Sequence, residues 1–192
     1  MTIYDELLGL CITSQDRLIK YKTESIGLIQ QFARRMSEYI GAPNTYVDYD
    51  KLEKPYVKAL NATRNDDGSI TFGEPKSILT SVTEDEDGYW ISGIKIVIGR
   101  ANILPKPYFI FPVRFILRER QCELEIGNRS GENFIFDLDE FNSSSGVIPT
   151  GVQAAYDYMI EHLRKVLALS PWSVIREKAP IGFVAKQVPT ES

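Results

Sequence analysis

The stretch from Tyr89 to Ile126, YWISGIKIVIGRANILPKPYFIFPVRFILRERQCELEI, decides the fold. It contains three alternating runs in succession. Trp90, Ile94, Ile96 and Ile98 share a parity in the first run. Phe109, Phe111, Val113, Phe115 and Leu117 share one in the second, and Cys122, Leu124 and Ile126 in the third. Side chains alternate across a strand with a period of two, so each set points to one face. Three such runs separated by turn residues predict an antiparallel sheet with one face packed on a core. The pattern describes packing and offers no reactive constellation.

The last two runs predict a hairpin. With its loop centred on Arg120 and Gln121, Leu117 opposes Leu124, Phe115 opposes Ile126, and Arg118 opposes Glu123 on the outer face. Pro112 donates no hydrogen bond and marks an edge or a bulge. Upstream, Thr45–Val47, Tyr56–Leu60, Ser69–Phe72 and Ile78–Val82 read as short strands. Asn65-Asp66-Asp67-Gly68 and Glu84-Asp85-Glu86-Asp87-Gly88 are turn signals between them. Downstream, Phe134, Phe136 and Leu138 read as a further strand after the turn at 128–131.

Helical periodicity brackets the sheet. Residues 2–40 read as helix, with Asp5 and Glu6 at the positive end of the helix dipole. Leu7, Leu8 and Cys11 form a first apolar patch, and Thr13 or Ser14 is placed to cap a second helix. From Leu18 the spacing is regular through Ile19, Ile26, Ile29, Phe32, Ala33, Met36, Tyr39 and Ile40. Gly41 sits at the stop position. This stripe packs on the sheet or forms a dimer seam; in the second case Leu18, Ile29, Phe32 and Met36 are the interface residues. Thr150 and Gln153 have capping-box spacing, and Val152, Tyr156, Met159, Leu163 and Val166 line the buried face of a closing helix.

These readings give an α+β domain over residues 1–186. A helical segment spans 1–41, an antiparallel sheet of five to seven strands 44–140, a helix 149–169 and a strap 171–186; 187–192 form a flexible tail. A chain of 192 residues with 43% apolar and 25% charged residues is ordinary globular composition for one domain. The net charge of −4 argues against a general binder of nucleic acid or anionic membrane. Residues 101–131 are the one locally basic segment. No apolar run approaches the roughly 18 residues that span a bilayer, and no leader pattern opens the chain, so a cytoplasmic location is expected. Cys11 and Cys122 each fall on an apolar pattern and are expected as buried thiols, with a disulfide as the alternative.

Catalytic groups are sparse. His162 is the only histidine and falls on the polar side of the last helix, which leaves a serine or cysteine nucleophile without another candidate base. Phosphate-cradling glycine loops, nucleophile elbows and zinc-ligand spacings are absent. Glu84–Asp87 lacks calcium-loop spacing and reads as a solvated turn. Asp137, Asp139, Glu140, Glu123, Glu125 and the Glu74-Pro75-Lys76 tripeptide supply the only argument for a metal-dependent hydrolase or nuclease. No cofactor, metal ligand or catalytic residue is assigned. Tyr108, Arg114, Arg118 and Arg120 share the side opposite the phenylalanines, where arginine beside an aromatic ring can grip an anion or stack on a base. The expectation is a non-enzymatic protein-binding module of the adaptor, chaperone-like or inhibitor kind, partnering another protein or itself as a homodimer. A small-ligand or nucleotide site on the arginine-bearing face is the alternative.

Overall fold

The computed structural model describes residues 2–74, 82–99, 106–127, 131–143 and 146–168. The sheet forms where the alternation places it. Strand β1 spans Thr45–Val47, β2 Glu53–Pro55, β3 Val57–Arg64, β4 Ile70–Gly73, β5 Thr83–Glu84, β6 Trp90–Val97, β7 Tyr108–Arg118, β8 Gln121–Ile126 and β9 Glu132–Asp137. Helix α1 spans Ile3–Tyr39, α2 Leu138–Asn142 and α3 Thr150–Ala168. Seven strands make one antiparallel sheet in the order β4-β3-β6-β7-β8-β9, and β5 pairs with the start of β6. β1 and β2 form a separate two-stranded ribbon. The architecture is α+β, with an N-terminal helix, a seven-stranded antiparallel sheet and a C-terminal helix.

One face of the sheet carries the core. Ile94 and Ile96 of β6, Phe111, Val113 and Phe115 of β7, and Cys122, Leu124 and Ile126 of β8 are buried there. The C-terminal half of α1 and the stripe of α3 cover them. Ile29, Phe32 and Met36 meet Tyr156 and Met159 in one cluster, all fully buried. The Tyr156 hydroxyl donates to the Phe32 carbonyl at 2.8 Å, which fixes the crossing of the two helices. Gly151 allows α3 to lie on β9: a Cβ there would sit 2.0 Å from the Ile135 carbonyl oxygen.

Helix α1 is one continuous helix, not two. At Thr13 the hydroxyl donates to the Gly9 carbonyl at 2.9 Å, so the polar run continues the helix instead of capping a new one. A capping box starts the helix: the Thr2 hydroxyl accepts from the Asp5 N–H, and the Asp5 carboxylate accepts from the Thr2 N–H at 2.7 Å. These contacts with Thr2 hold the Asp5 carboxyl below the usual range. Gly41 ends the helix at φ +63°. Its N–H bonds the Glu38 carbonyl and the Ala42 N–H bonds the Ser37 carbonyl, the two bonds of a Schellman stop.

Three expectations change. The β7–β8 hairpin pairs Arg118 with Gln121, Leu117 with Cys122 and Phe115 with Leu124, two residues from the expected register. The turn is Glu119-Arg120, with Glu119 at φ 38°. Pro112 lies inside β7 opposite Gly93. Its carbonyl accepts from the Gly127 N–H at 2.9 Å, so its missing N–H would face the same neighbour just beyond the end of β8. It occupies a local edge within a central strand. Cys11 is exposed while Cys122 is buried, and both are free thiols. Ile78–Ser81 of the expected strand, the strap 171–186 and the tail 187–192 lie outside the described residues.

Candidate functional site

The N-terminal half of α1 stands outside the core. Every residue from Ile3 to Lys20 is exposed, and burial begins only at Ser25. At about 1.5 Å per residue, this free arm is roughly 27 Å long. It carries Ile3, Tyr4, Leu7, Leu8, Leu10, Ile12, Leu18 and Ile19, with exposures from 45% at Leu8 to 78% at Ile3. Among the described residues, each recorded hydrogen bond and ion pair of Ile3–Lys20 stays within α1 and its Thr2 cap. The arm joins the domain at Tyr21, whose hydroxyl donates to the Leu117 carbonyl and accepts from its N–H, both at 3.3 Å.

The arm's apolar face continues the buried face of the same helix. Tyr4, Leu8, Cys11, Gln15, Leu18 and Lys22 recur at alternating four- and three-residue steps, and the series runs on through Ser25, Ile29, Phe32 and Met36. Leu7 and Ile19 flank the series. The helix therefore presents one long stripe, of which the sheet and α3 cover only the second half. Of the expected interface residues, Ile29, Phe32 and Met36 are each 0% exposed in the chain's own core and are unavailable to a partner while the domain is folded. Leu18 alone remains outside, 56% exposed.

The arginine-bearing face is organised by internal ion pairs. The Arg114 guanidinium bonds Asp85 at 2.7 Å, Asp87 at 3.0 Å and Glu125 at 2.8 Å. It also stacks 4.5 Å from the centre of the Tyr89 ring. Asp85 is clamped in addition by the N–H groups of Tyr89 and Asp87. Burial alone would raise the Asp85 carboxyl; the Tyr89 N–H, the Arg114 guanidinium and the Asp87 N–H outweigh it and hold the group below its usual value. Arg118 pairs with Glu123 at 2.8 Å and Arg120 reaches Asp139 at 3.8 Å. The Tyr108 ring lies under the Lys95 ammonium at 4.4 Å. The four side chains do not converge. Arg114 is the centre of a closed salt-bridge cluster, and the expected solvated turn at Glu84–Asp87 supplies two of its partners.

Lys95 lies directly across from Lys58 in the β3–β6 pair. Burial, then the neighbouring Lys58 charge, lowers the Lys95 ammonium pKa. Lys58 is in turn paired with Glu74. An open groove of about 490 Å³ lies between α1 and β3, lined by Arg34, Glu38, Asn44, Lys58 and Glu74. Its charges already pair, Arg34 with Glu38 and Lys58 with Glu74, so no donor set converges on its interior. His162 is half-buried against the Tyr158 ring at 4.4 Å, with Nδ1 3.2 Å from the Tyr158 carbonyl. Among the described residues, no group of three His, Cys, Asp or Glu side chains is arranged to hold a metal ion. No helix among them is long and apolar enough to cross a membrane.

No protein-family model, no curated protein and no solved structure matches the chain. The site with a physical rationale is therefore the free arm of α1. Sequence reasoning reached its helical character but missed that it is bare. The available signal was length: a helix of 37 residues, about 55 Å, outruns a core built on strands of at most 11 residues, about 37 Å.

Proposed function

We propose that the protein is a non-enzymatic binding module for protein partners and that it engages them through the apolar face of the α1 arm. The observation that carries this reading is the set of eight large apolar side chains exposed on a helix that is otherwise continuous with the core. Contiguous apolar surface of this kind is characteristic of interaction sites, and an amphipathic helix laid against a complementary surface is a recurring recognition mode. The arm is presented ready-formed: the Thr2–Asp5 box fixes its start and the packed half of α1 supplies the helical nucleus. Residues 3–22 carry three acids (Asp5, Glu6, Asp16) and three bases (Arg17, Lys20, Lys22), a balance that gives little attraction to an anionic lipid surface. A cytoplasmic setting belongs to the same proposal, consistent with two free cysteines.

The test is a photo-crosslinking amino acid placed at Leu8 or Leu18, with Ile135 on the sheet as an exposed control. Cross-links to protein at the two arm positions and not at Ile135 are expected. The cross-links from Leu18 should vanish when Leu7, Leu8 and Ile19 are changed to serine, with the unfolding midpoint at low concentration unchanged. Absence of arm-specific cross-links refutes the proposal.

A further inference from the structure

The charges on the arm are ordered as well as balanced. Asp5-Glu6 is followed by Leu7-Leu8, and reflection about Thr13 carries Leu8, Leu7, Glu6 and Asp5 onto Leu18, Ile19, Lys20 and Tyr21, with Lys22 next in the chain. The pairs Leu7-Leu8 and Leu18-Ile19 are symmetric about Thr13, while Ile3, Leu10 and Ile12 reflect onto Thr23, Asp16 and Ser14. Residues 3–12 carry two acids and residues 14–23 one acid and three bases, so the net charge inverts from −2 to +2. Such a pattern has a direct use if the helix meets its own copy antiparallel. A parallel pairing would set Asp5 and Glu6 against themselves and Lys20 and Lys22 against themselves. An antiparallel pairing sets Glu6 opposite Lys20 and Asp5 opposite Tyr21, between the two lysines.

Building on the proposed binding role of the arm, we infer that its partner is a second copy of this chain, joined through an antiparallel pair of α1 arms with the two-fold axis at Thr13. In that register Leu8 meets Leu18 of the second copy, Leu7 meets Ile19, Cys11 meets Gln15, and Tyr4 lies beside the Lys22 stem. Two clusters of Leu7, Leu8, Leu18 and Ile19 form, related by the axis. The arms match in length: Thr2 of one copy ends opposite Glu24 of the other, one residue before burial against the domain begins at Ser25. Asp5 of the second copy arrives opposite Tyr21, whose hydroxyl bonds Leu117 at the β7–β8 hairpin. Two helices in contact over about 27 Å bury roughly 1,000 Å² in total, at the lower bound for a specific interface, so a weak dimer is expected.

The test is sedimentation velocity on the full chain from about 1 to 100 µM, with variants whose changes all fall on exposed side chains and whose fold is checked by circular dichroism. A weak dimer that assembles within this range is expected. Leu8→Asp with Leu18→Asp should be monomeric throughout. Asp5→Lys with Glu6→Lys should weaken the dimer about tenfold at low salt, since rim charges are screened and modest. Adding Lys20→Glu and Lys22→Glu to that variant should restore it. Gln15→Cys should give, on oxidation, a covalent dimer through Cys11 of the other copy. A monomer at 100 µM overturns the inference, as does a dimer that the charge swap does not restore or that Gln15→Cys does not cross-link. The two proposals separate: a monomer whose Leu8 cross-links to another protein sinks self-pairing and keeps the binding role, whereas an arm that cross-links to nothing sinks both.

Discussion

Replacing Arg114 by methionine separates a structural arginine from a ligand-binding one. In the folded protein its guanidinium contacts three carboxylates, and the side chains of Arg114, Asp85 and Glu125 are 20%, 14% and 11% exposed. Removing one partner from a fully buried ion pair costs about 3–5 kcal/mol, because the other charge is left uncompensated. This cluster keeps some solvent, and Asp85 retains the Tyr89 and Asp87 N–H bonds, so about 2 kcal/mol is expected at pH 7. With a urea slope of about 2 kcal/mol per molar, the unfolding midpoint should fall by about 1 M. The cost must also depend on pH. The Asp85 pKa is lower in the folded state than in the unfolded chain, where it is about 3.9. Its contribution is therefore fully present above that value and is lost as pH falls through the folded value. The Arg114→Met deficit should shrink on acidification below about pH 4, and adding Glu125→Gln should recover part of it at pH 7 by removing one unpaired charge. Equilibrium urea unfolding at pH 7 and pH 3 reads all three effects. A cost below about 0.5 kcal/mol at pH 7, or an equal cost at both pH values, refutes the structural role. Stabilisation of the wild type, but not the variant, by inorganic phosphate would assign Arg114 to an anion site instead.

Gly151→Ala forces a Cβ to within 2.0 Å of the Ile135 carbonyl oxygen, a backbone atom that cannot rotate away, and should destabilise by about 3 kcal/mol in thermal or urea unfolding. Cys11 should react with a thiol reagent in the native protein, whereas Cys122, whose thiol pKa burial raises, should react only on unfolding; equal rates would contradict the placement of Cys11 on a free arm. Ile29→Ala should cost about 2–5 kcal/mol, while Leu8→Ala on the same helix should change the stability of dilute protein by less than about 0.5 kcal/mol. A similar cost at both positions would mean that the arm is folded against something.

The sheet was legible because parity is a strong signal on strands covered on one face. Trp90, Phe111, Phe115 and Leu124 fall inside as their positions demand. The hairpin register was not, because a two-residue slip preserves parity. Leu117 faces the core whether its neighbour is Leu124 or Cys122, so only the turn decides, and the Glu119-Arg120 turn carries no glycine or asparagine to announce it. Pro112 was misleading for a related reason: its strand is central, but its missing donor points past the end of β8. The salt-bridge cluster was half legible. The Arg118–Glu123 pair follows from adjacent strands, whereas Asp85 and Asp87 reach Arg114 across 29 and 27 residues of intervening chain.

The arm shows why periodicity alone cannot separate a core helix from a binding helix. From Tyr4 to Met36 the alternating four- and three-residue spacing runs on through three polar members, Gln15, Lys22 and Ser25, and does not change where the sheet stops covering the helix. Burial of a helical stripe is a property of what lies opposite, and the sequence of one element does not contain that. What the arm's own sequence does contain is a net charge that inverts about Thr13, −2 over residues 3–12 and +2 over residues 14–23. A helix destined for the core has no use for such an order, since among the described residues Asp5, Glu6, Lys20 and Lys22 make no ion pair with the sheet or α3. A helix that meets its twin head to tail gains from it twice, once at each end. If the charge-swapped and doubly swapped proteins sediment alike, the order is incidental and the stripe awaits a different partner.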